Sequence, residues 1–132
     1  MNRRHLLIAL GAGILAAQDP PAEKNLSADE LKELLESKGD KVFFLDVREP
    51  KELEELGSVK GYVNIPLGQL ESRIAEIPKG RPVITACERG ARAGRAAAIL
   101  RKHGYQVIGA CGLRAWRDKG YPVVYPKDSA KR

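Results

Sequence analysis

The sequence predicts a single α/β domain with a parallel sheet covered by helices on both faces, and three observations lead there. Short, mainly apolar runs recur at Val42–Leu45, Pro82–Ala86 and Val107–Ala110, the pattern of strands buried on both sides. Helix-period segments separate them, and that alternation implies parallel pairing. A length of 132 residues with 43% apolar and 30% charged side chains fits one globular domain rather than a disordered chain. Only 5% of residues are aromatic, so the core is expected to be aliphatic. Two cysteines and two histidines at these positions make neither a disulfide scaffold nor a zinc pattern, so no metal is expected.

The chain begins with a basic end containing Arg3 and Arg4, followed by the apolar run Leu6–Ala17. Small residues Ala16 and Ala17 then precede polar Gln18-Asp19-Pro20-Pro21. These are the three parts of a secretory signal over residues 1–17, which predicts a periplasmic or otherwise exported protein. The adjacent arginines leave twin-arginine export open, and retention as an uncleaved anchor is the alternative to cleavage. A conventional membrane span needs about twenty apolar residues and is excluded. Residues 18–25 read as a linker, 26–125 as the domain and 126–132 as a basic tail.

Within the domain, Ser27 and Glu30 form a capping box, with Leu26 and Leu31 placed for a hydrophobic staple. Leu31, Leu34 and Leu35 then share one face until Gly39-Asp40 stops the helix. Pro50 suits the first turn of a short acidic helix through Leu56. Tyr62–Ile65 reads as a short strand, and Leu67, Leu70, Ile74 and Ile77 as a helical face ended by Pro78 and Gly80. Ala93, Ala96, Ala97 and Leu100 line one side of a helix over Ala91–His103, with His103 at its C-cap and Gly104 as its stop. A last short helix spans Leu113–Asp118, where Trp116 is expected to pack on the core.

Ligands of open parallel sheets sit beyond the carboxyl ends of the strands, and Cys87 follows a strand directly. The run Cys87-Glu88-Arg89-Gly90-Ala91-Arg92 places a cysteine, a glycine-containing loop and a helix start in succession. That arrangement aims backbone N–H groups at one point, favouring the nucleophilic thiolate and an anionic substrate. Residues 87–102 hold five basic side chains and one acidic one. Two readings of Cys87 stand at this point: a nucleophile, or a small buried hydrophobe.

Cys-Glu-Arg-Gly-Ala-Arg resembles the C-x-x-G-x-R active-site loop of rhodanese-like sulfurtransferases. Leu45-Asp46-Val47-Arg48-Glu49, Gly61-Tyr62-Val63-Asn64-Ile65-Pro66 and Gly112-Leu113-Arg114-Ala115-Trp116 match further markers of that family, in the same order. The resemblance spans about residues 27–125 and is nearest to exported single-domain members of the phage-shock type. It implies a central parallel five-stranded sheet, a nucleophilic Cys87, and transfer of a sulfane sulfur from a donor such as thiosulfate to cyanide or a thiol. The step is covalent, through a Cys87 persulfide, and no cofactor is implied.

Glu88, Arg89, Gly90, Ala91 and Arg92 would then bind the substrate, with Asp46 and Arg48 in support. Partners implied are a small sulfur-containing anion and a thiophilic acceptor. The basic tail Lys127–Arg132 has no aromatic interleaving, so no nucleic acid is expected, nor a membrane beyond the export signal, and the chain is expected to be a monomer or weak dimer. Related phosphatases and arsenate reductases are implied to carry a C-x-x-x-x-x-R loop. Only four residues separate Cys87 from Arg92, one too few, which favours sulfur. Arg95 matches neither pattern.

Three positions depart from the family. Ser58 replaces a histidine in the Gly57–Tyr62 stretch, Glu88 puts a carboxylate beside the nucleophile, and Cys111 replaces the first glycine of a pair. Family topology sets the strand before Cys111 beside the strand before Cys87, about 4.8 Å away, so Cys111 is a candidate disulfide or resolving partner. Sulfurtransferase, persulfide carrier with little thiosulfate turnover, and Cys87/Cys111 thiol–disulfide protein are the three functions that follow.

Overall fold

The computed structural model describes residues 24–130. The predicted signal segment 1–17, linker residues 18–23 and tail residues 131–132 lie outside the described residues. Five strands form one sheet: β1 (Asn25–Leu26), β2 (Phe43–Asp46), β3 (Val63–Asn64), β4 (Val83–Cys87) and β5 (Val107–Gly112). Their order is β1-β5-β4-β2-β3 and every pairing is parallel, which bears out the expected five-stranded sheet. The most buried strand, β4, lies at the centre, and its carboxyl end presents Cys87.

Alternation along the strands divides the core in two. Phe43, Leu45, Val83 and Cys87 face α3 (Ala91–Lys102), where Ala93, Ala96, Ala97 and Leu100 are fully buried. Small alanines let this helix lie close to the sheet. Phe44, Ile84, Ala86 and Cys111 face the other way, against α1 (Ala28–Lys38) and α4 (Leu113–Asp118), packing with Leu31, Leu113 and Trp116. The capping box predicted for α1 is present: Glu30 N–H donates to Ser27 Oγ at 3.1 Å, and Ser27 N–H donates to Glu30 Oε1 at 2.9 Å. The acidic helix α2 (Pro50–Leu56) starts at Pro50 as expected, and His103 caps the end of α3.

Several boundaries differ from the sequence reading. Asn25 belongs to β1 rather than to a linker, because Ala110 N–H on β5 needs an acceptor and takes Lys24 O at 2.9 Å. The segment Leu67–Ile77 forms two 3₁₀ turns, Leu67–Gln69 and Glu71–Glu76, instead of one α-helix. Leu67 to Leu70 and Ile74 to Ile77 are each three residues apart, matching the tighter 3₁₀ repeat. The segment read as a basic tail begins with a short helix, α5 (Pro126–Ala130). It follows Val124, which exchanges two backbone hydrogen bonds with Ser58 at 2.8 Å each.

Cys111 is not placed as a redox partner of Cys87. The register sets Ala86 opposite Cys111 and Cys87 opposite Gly112. Strand side chains alternate, so the two cysteines point to opposite faces of the sheet. Both are free and buried, Cys87 in the core under α3 and Cys111 in the core under α1. Burial also pushes the Cys111 thiol pKa well above the ordinary thiol range. A bridge would need β4 or β5 to leave the sheet. Mass spectrometry of the air-oxidised, non-reduced chain is therefore expected to find two free thiols, and a mass two hydrogens lower would contradict this packing.

Candidate active site

The site starts from the way β4 gives way to α3. Gly90 has φ +107, a conformation that side chains with a Cβ rarely adopt, and this residue turns the chain into the helix. Gly90 has no side chain to cap α3, and Cys87 takes over that role. Its Sγ accepts Gly90 N–H at 2.9 Å and Ala93 N–H at 3.3 Å, so the sulfur lies at the positive start of a three-turn helix. Thr85, two residues earlier and on the same face, donates to Ala93 O at 2.8 Å and ties the first turn of α3 to the strand.

Beyond the sulfur opens a cleft of about 360 Å³ lined by Cys87, Glu88, Arg89, Ala91, Arg92 and Arg95. Cys87 itself is 1% exposed, so access to it runs through this cleft. Arg89 and Arg95 are exposed at its rim. Arg95, which fits neither family loop pattern, thus belongs to the site. Arg92 is held on α2, donating to Glu52 Oε1 at 2.8 Å and Oε2 at 3.0 Å. That pairing brings the Glu52 carboxyl down to about 2. Arg92 therefore fixes the loop to α2 and lends only part of its charge to the cleft.

Glu88, the carboxylate that the sequence sets beside the nucleophile, is paired with two arginines. Arg48 Nη1 donates to its Oε1 at 3.2 Å, Arg117 Nη1 donates to the same oxygen at 3.0 Å, and Arg117 Nη2 donates to Oε2. Arg117, with Arg48 behind it, holds the Glu88 carboxyl below the usual carboxylate range. Glu88 O also accepts Arg114 N–H at 3.0 Å. Residue 88 is thus anchored through both side chain and backbone.

Asp46 and Arg48, assigned a supporting role, are fully buried under the loop. Arg48 Nη2 donates to Asp46 Oδ2 and to Gly57 O, both at 2.8 Å, and Arg48 Nε donates to Asp46 Oδ1 at 3.0 Å. Ser58, standing in for the family's histidine, donates to Asp46 Oδ2 at 2.7 Å. Asn64 donates to Asp46 O at 2.9 Å and Arg48 O at 2.8 Å, securing β3. A cationic guanidinium at zero exposure is sustained here by two carboxylates and a carbonyl.

Gly112 completes the support. A Cβ there would lie 2.9 Å from Arg89 C and 3.1 Å from both Arg89 Cα and Glu88 O, all of them backbone atoms. The loop rests directly on this glycine. Sequence reasoning found Cys87, the loop, Asp46, Arg48 and the Gly112 motif. It did not find Glu52, Asn64 or Arg117 as site neighbours. A glutamate at the N3 position after Pro50 signals a helix cap, and nothing in the sequence joins it to Arg92.

The stretch of chain that carries this site, from the Asp46-x-Arg48 pair to Gly112, matches known proteins. The Rhodanese-like domain family covers residues 27–119. This chain belongs to that family. It is 43% identical over 83 residues to the uncharacterized protein YqhL of Bacillus subtilis, covering 60% of this chain and 64% of that one. It therefore spans just under two-thirds of that relative's length. A sulfurtransferase of Allochromatium vinosum is 35% identical over 88 residues, covering 65% of this chain and 81% of the relative. The crystal structure of a rhodanese-related protein from Thermoplasma volcanium superposes with a TM-score of 0.68 at 29% identity, covering 79% of this chain and 98% of that one.

Two expectations follow. Gly112→Ala should push the loop off β5 and lower reactivity at Cys87 by about tenfold or more, as small misplacements of reacting groups do. Reaction kinetics at Cys87, with circular dichroism to confirm the fold, measure this. Glu52 has a lowered folded pKa, so its contribution is present above pH 4.5 and fades as pH falls towards 2. Glu52→Gln should cost about 1 kcal/mol near neutrality, given its partial exposure, and nothing near pH 2. Denaturant unfolding of both proteins across that range would show the gap closing.

Proposed function

We propose that this protein is a sulfurtransferase that carries sulfane sulfur as a persulfide on Cys87. The observation supporting this most directly is the Cys87 sulfur itself, bonded by two helix-start amides and facing a cleft edged by arginines. The family and the sulfurtransferase relative point the same way.

In the first step the Cys87 thiolate attacks the outer sulfur of a donor such as thiosulfate. A Sγ–S bond forms while the donor S–S bond breaks, and sulfite leaves with the electron pair. The first-turn amides of α3 face the persulfide, where helix-start N–H groups lack intrahelical partners. In the second step a nucleophile such as cyanide or a thiolate attacks the outer sulfur, and Cys87 departs as thiolate. No net oxidation of the protein occurs, and the protein needs no added cofactor for either bond change. Arg89 and Arg95 draw the anionic donor into the cleft, Arg92 and Glu88 fix the loop, and Asp46 and Arg48 support it from beneath. An exported setting belongs to this reading, supported by the Arg3-Arg4 start and the apolar run Leu6–Ala17.

The test incubates the reduced chain with thiosulfate and cyanide, following thiocyanate and the mass of the Cys87 peptide. Thiocyanate should vanish in Cys87→Ser and persist in Cys111→Ser, because Cys111 lies on the far face of the sheet. A Cys87 persulfide without thiocyanate would replace the enzyme by a carrier. Absence of both would overturn sulfur transfer from this donor.

A further inference from the structure

Glu88 is the only carboxylate among the described residues lining the Cys87 cleft. Its effect on the cleft depends on what neutralises it. Arg48 already serves Asp46 and Gly57 O and reaches Glu88 through Nη1 alone. Arg117 engages both oxygens of Glu88 in a two-pronged pairing. Arg117 stands on α4, outside the loop and outside every motif that marks the site in the sequence. Its side chain is 24% exposed and that of Glu88 18%, so solvent screens this pair only in part.

We propose that Arg117 is a positioning residue for the Cys87 site. By pairing with Glu88 it cancels the one acidic charge lining the cleft and leaves the field there to Arg89 and Arg95. The backbone bond from Arg114 to Glu88 O holds the same loop residue, so α4 secures both the geometry and the charge balance of the loop. This inference rests on Cys87 being the reacting group reached through the cleft, and not on the identity of the sulfur donor.

The experiment alkylates Cys87 in the full, reduced chain with iodoacetate, which is anionic, and iodoacetamide, which is neutral, and follows the Cys87 peptide by mass. The ratio of the two rates reports the field at the sulfur. Arg117→Met leaves Glu88 undercompensated and should lower the ratio about fourfold, the effect of roughly one charge at this range in a partly screened setting. Glu88→Gln removes the acid and should raise the ratio by a similar factor. The double variant removes the whole pair and should return the ratio to within about twofold of wild type.

A purely structural pair would lower thermal midpoints and slow both reagents alike, leaving the ratio unmoved, and that result overturns the proposal. So does a double variant that behaves like Arg117→Met, or a wild-type Cys87 inert to both reagents. Thiosulfate KM measured on the same variants should move inversely with the ratio. Wild-type protein that forms no persulfide with thiosulfate would overturn sulfur transfer from that donor, while the alkylation ratio would still decide the role of Arg117.

Discussion

A guanidinium with no exposure to water must be surrounded by acceptors, and in this protein Arg48 is that group. The acceptors come from separate parts of the chain. Asp46 lies at the end of β2, Gly57 O at the end of α2, and Glu88 in the loop after β4. Satisfying one cation therefore joins three segments that are distant in sequence. Ser58 and Asn64 extend the same polar cluster to the segment following α2 and to β3. The carboxyl edge of the sheet becomes a fixed platform, and the Cys87 loop is built on it.

The loop itself solves a helix-capping problem with a reactive atom. Helix α3 needs acceptors for its first N–H groups, and a cysteine sulfur supplies one. The same contact that starts the helix aims its amides at the sulfur. Stability and chemistry thus share atoms, so the local rules for ordinary caps are bent: Gly90 stands at the cap position with positive φ, and the capping atom comes from three residues earlier. The alanine face of α3 then seats the helix closely on the sheet, which holds the sulfur in register with Gly112 on β5.

Much of this was legible without coordinates. The α1 capping box, the start of α2 at Pro50, the alanine face of α3 and the placement of Cys87 at a strand end all follow from short-range rules, and the structure agrees with each. The 3₁₀ turns over Leu67–Glu76 were misread because spacings of three and four residues suit both helix types when a segment is short. The suggested Cys87–Cys111 pair failed on register. Neighbouring strands were correctly expected, but a one-residue offset turns a side chain to the opposite face.

The sequence alone determined the class of fold, the nucleophile candidate and the glycine loop, since periodicity, caps and turn chemistry act within a few residues of chain. Tertiary structure alone decided which charges remain available around Cys87. Glu52 meets Arg92 across 40 positions and Arg117 meets Glu88 across 29, so no local pattern could pair them. Electrostatic interactions depend on distance in space, and only the assembled sheet with its two helical layers sets those distances.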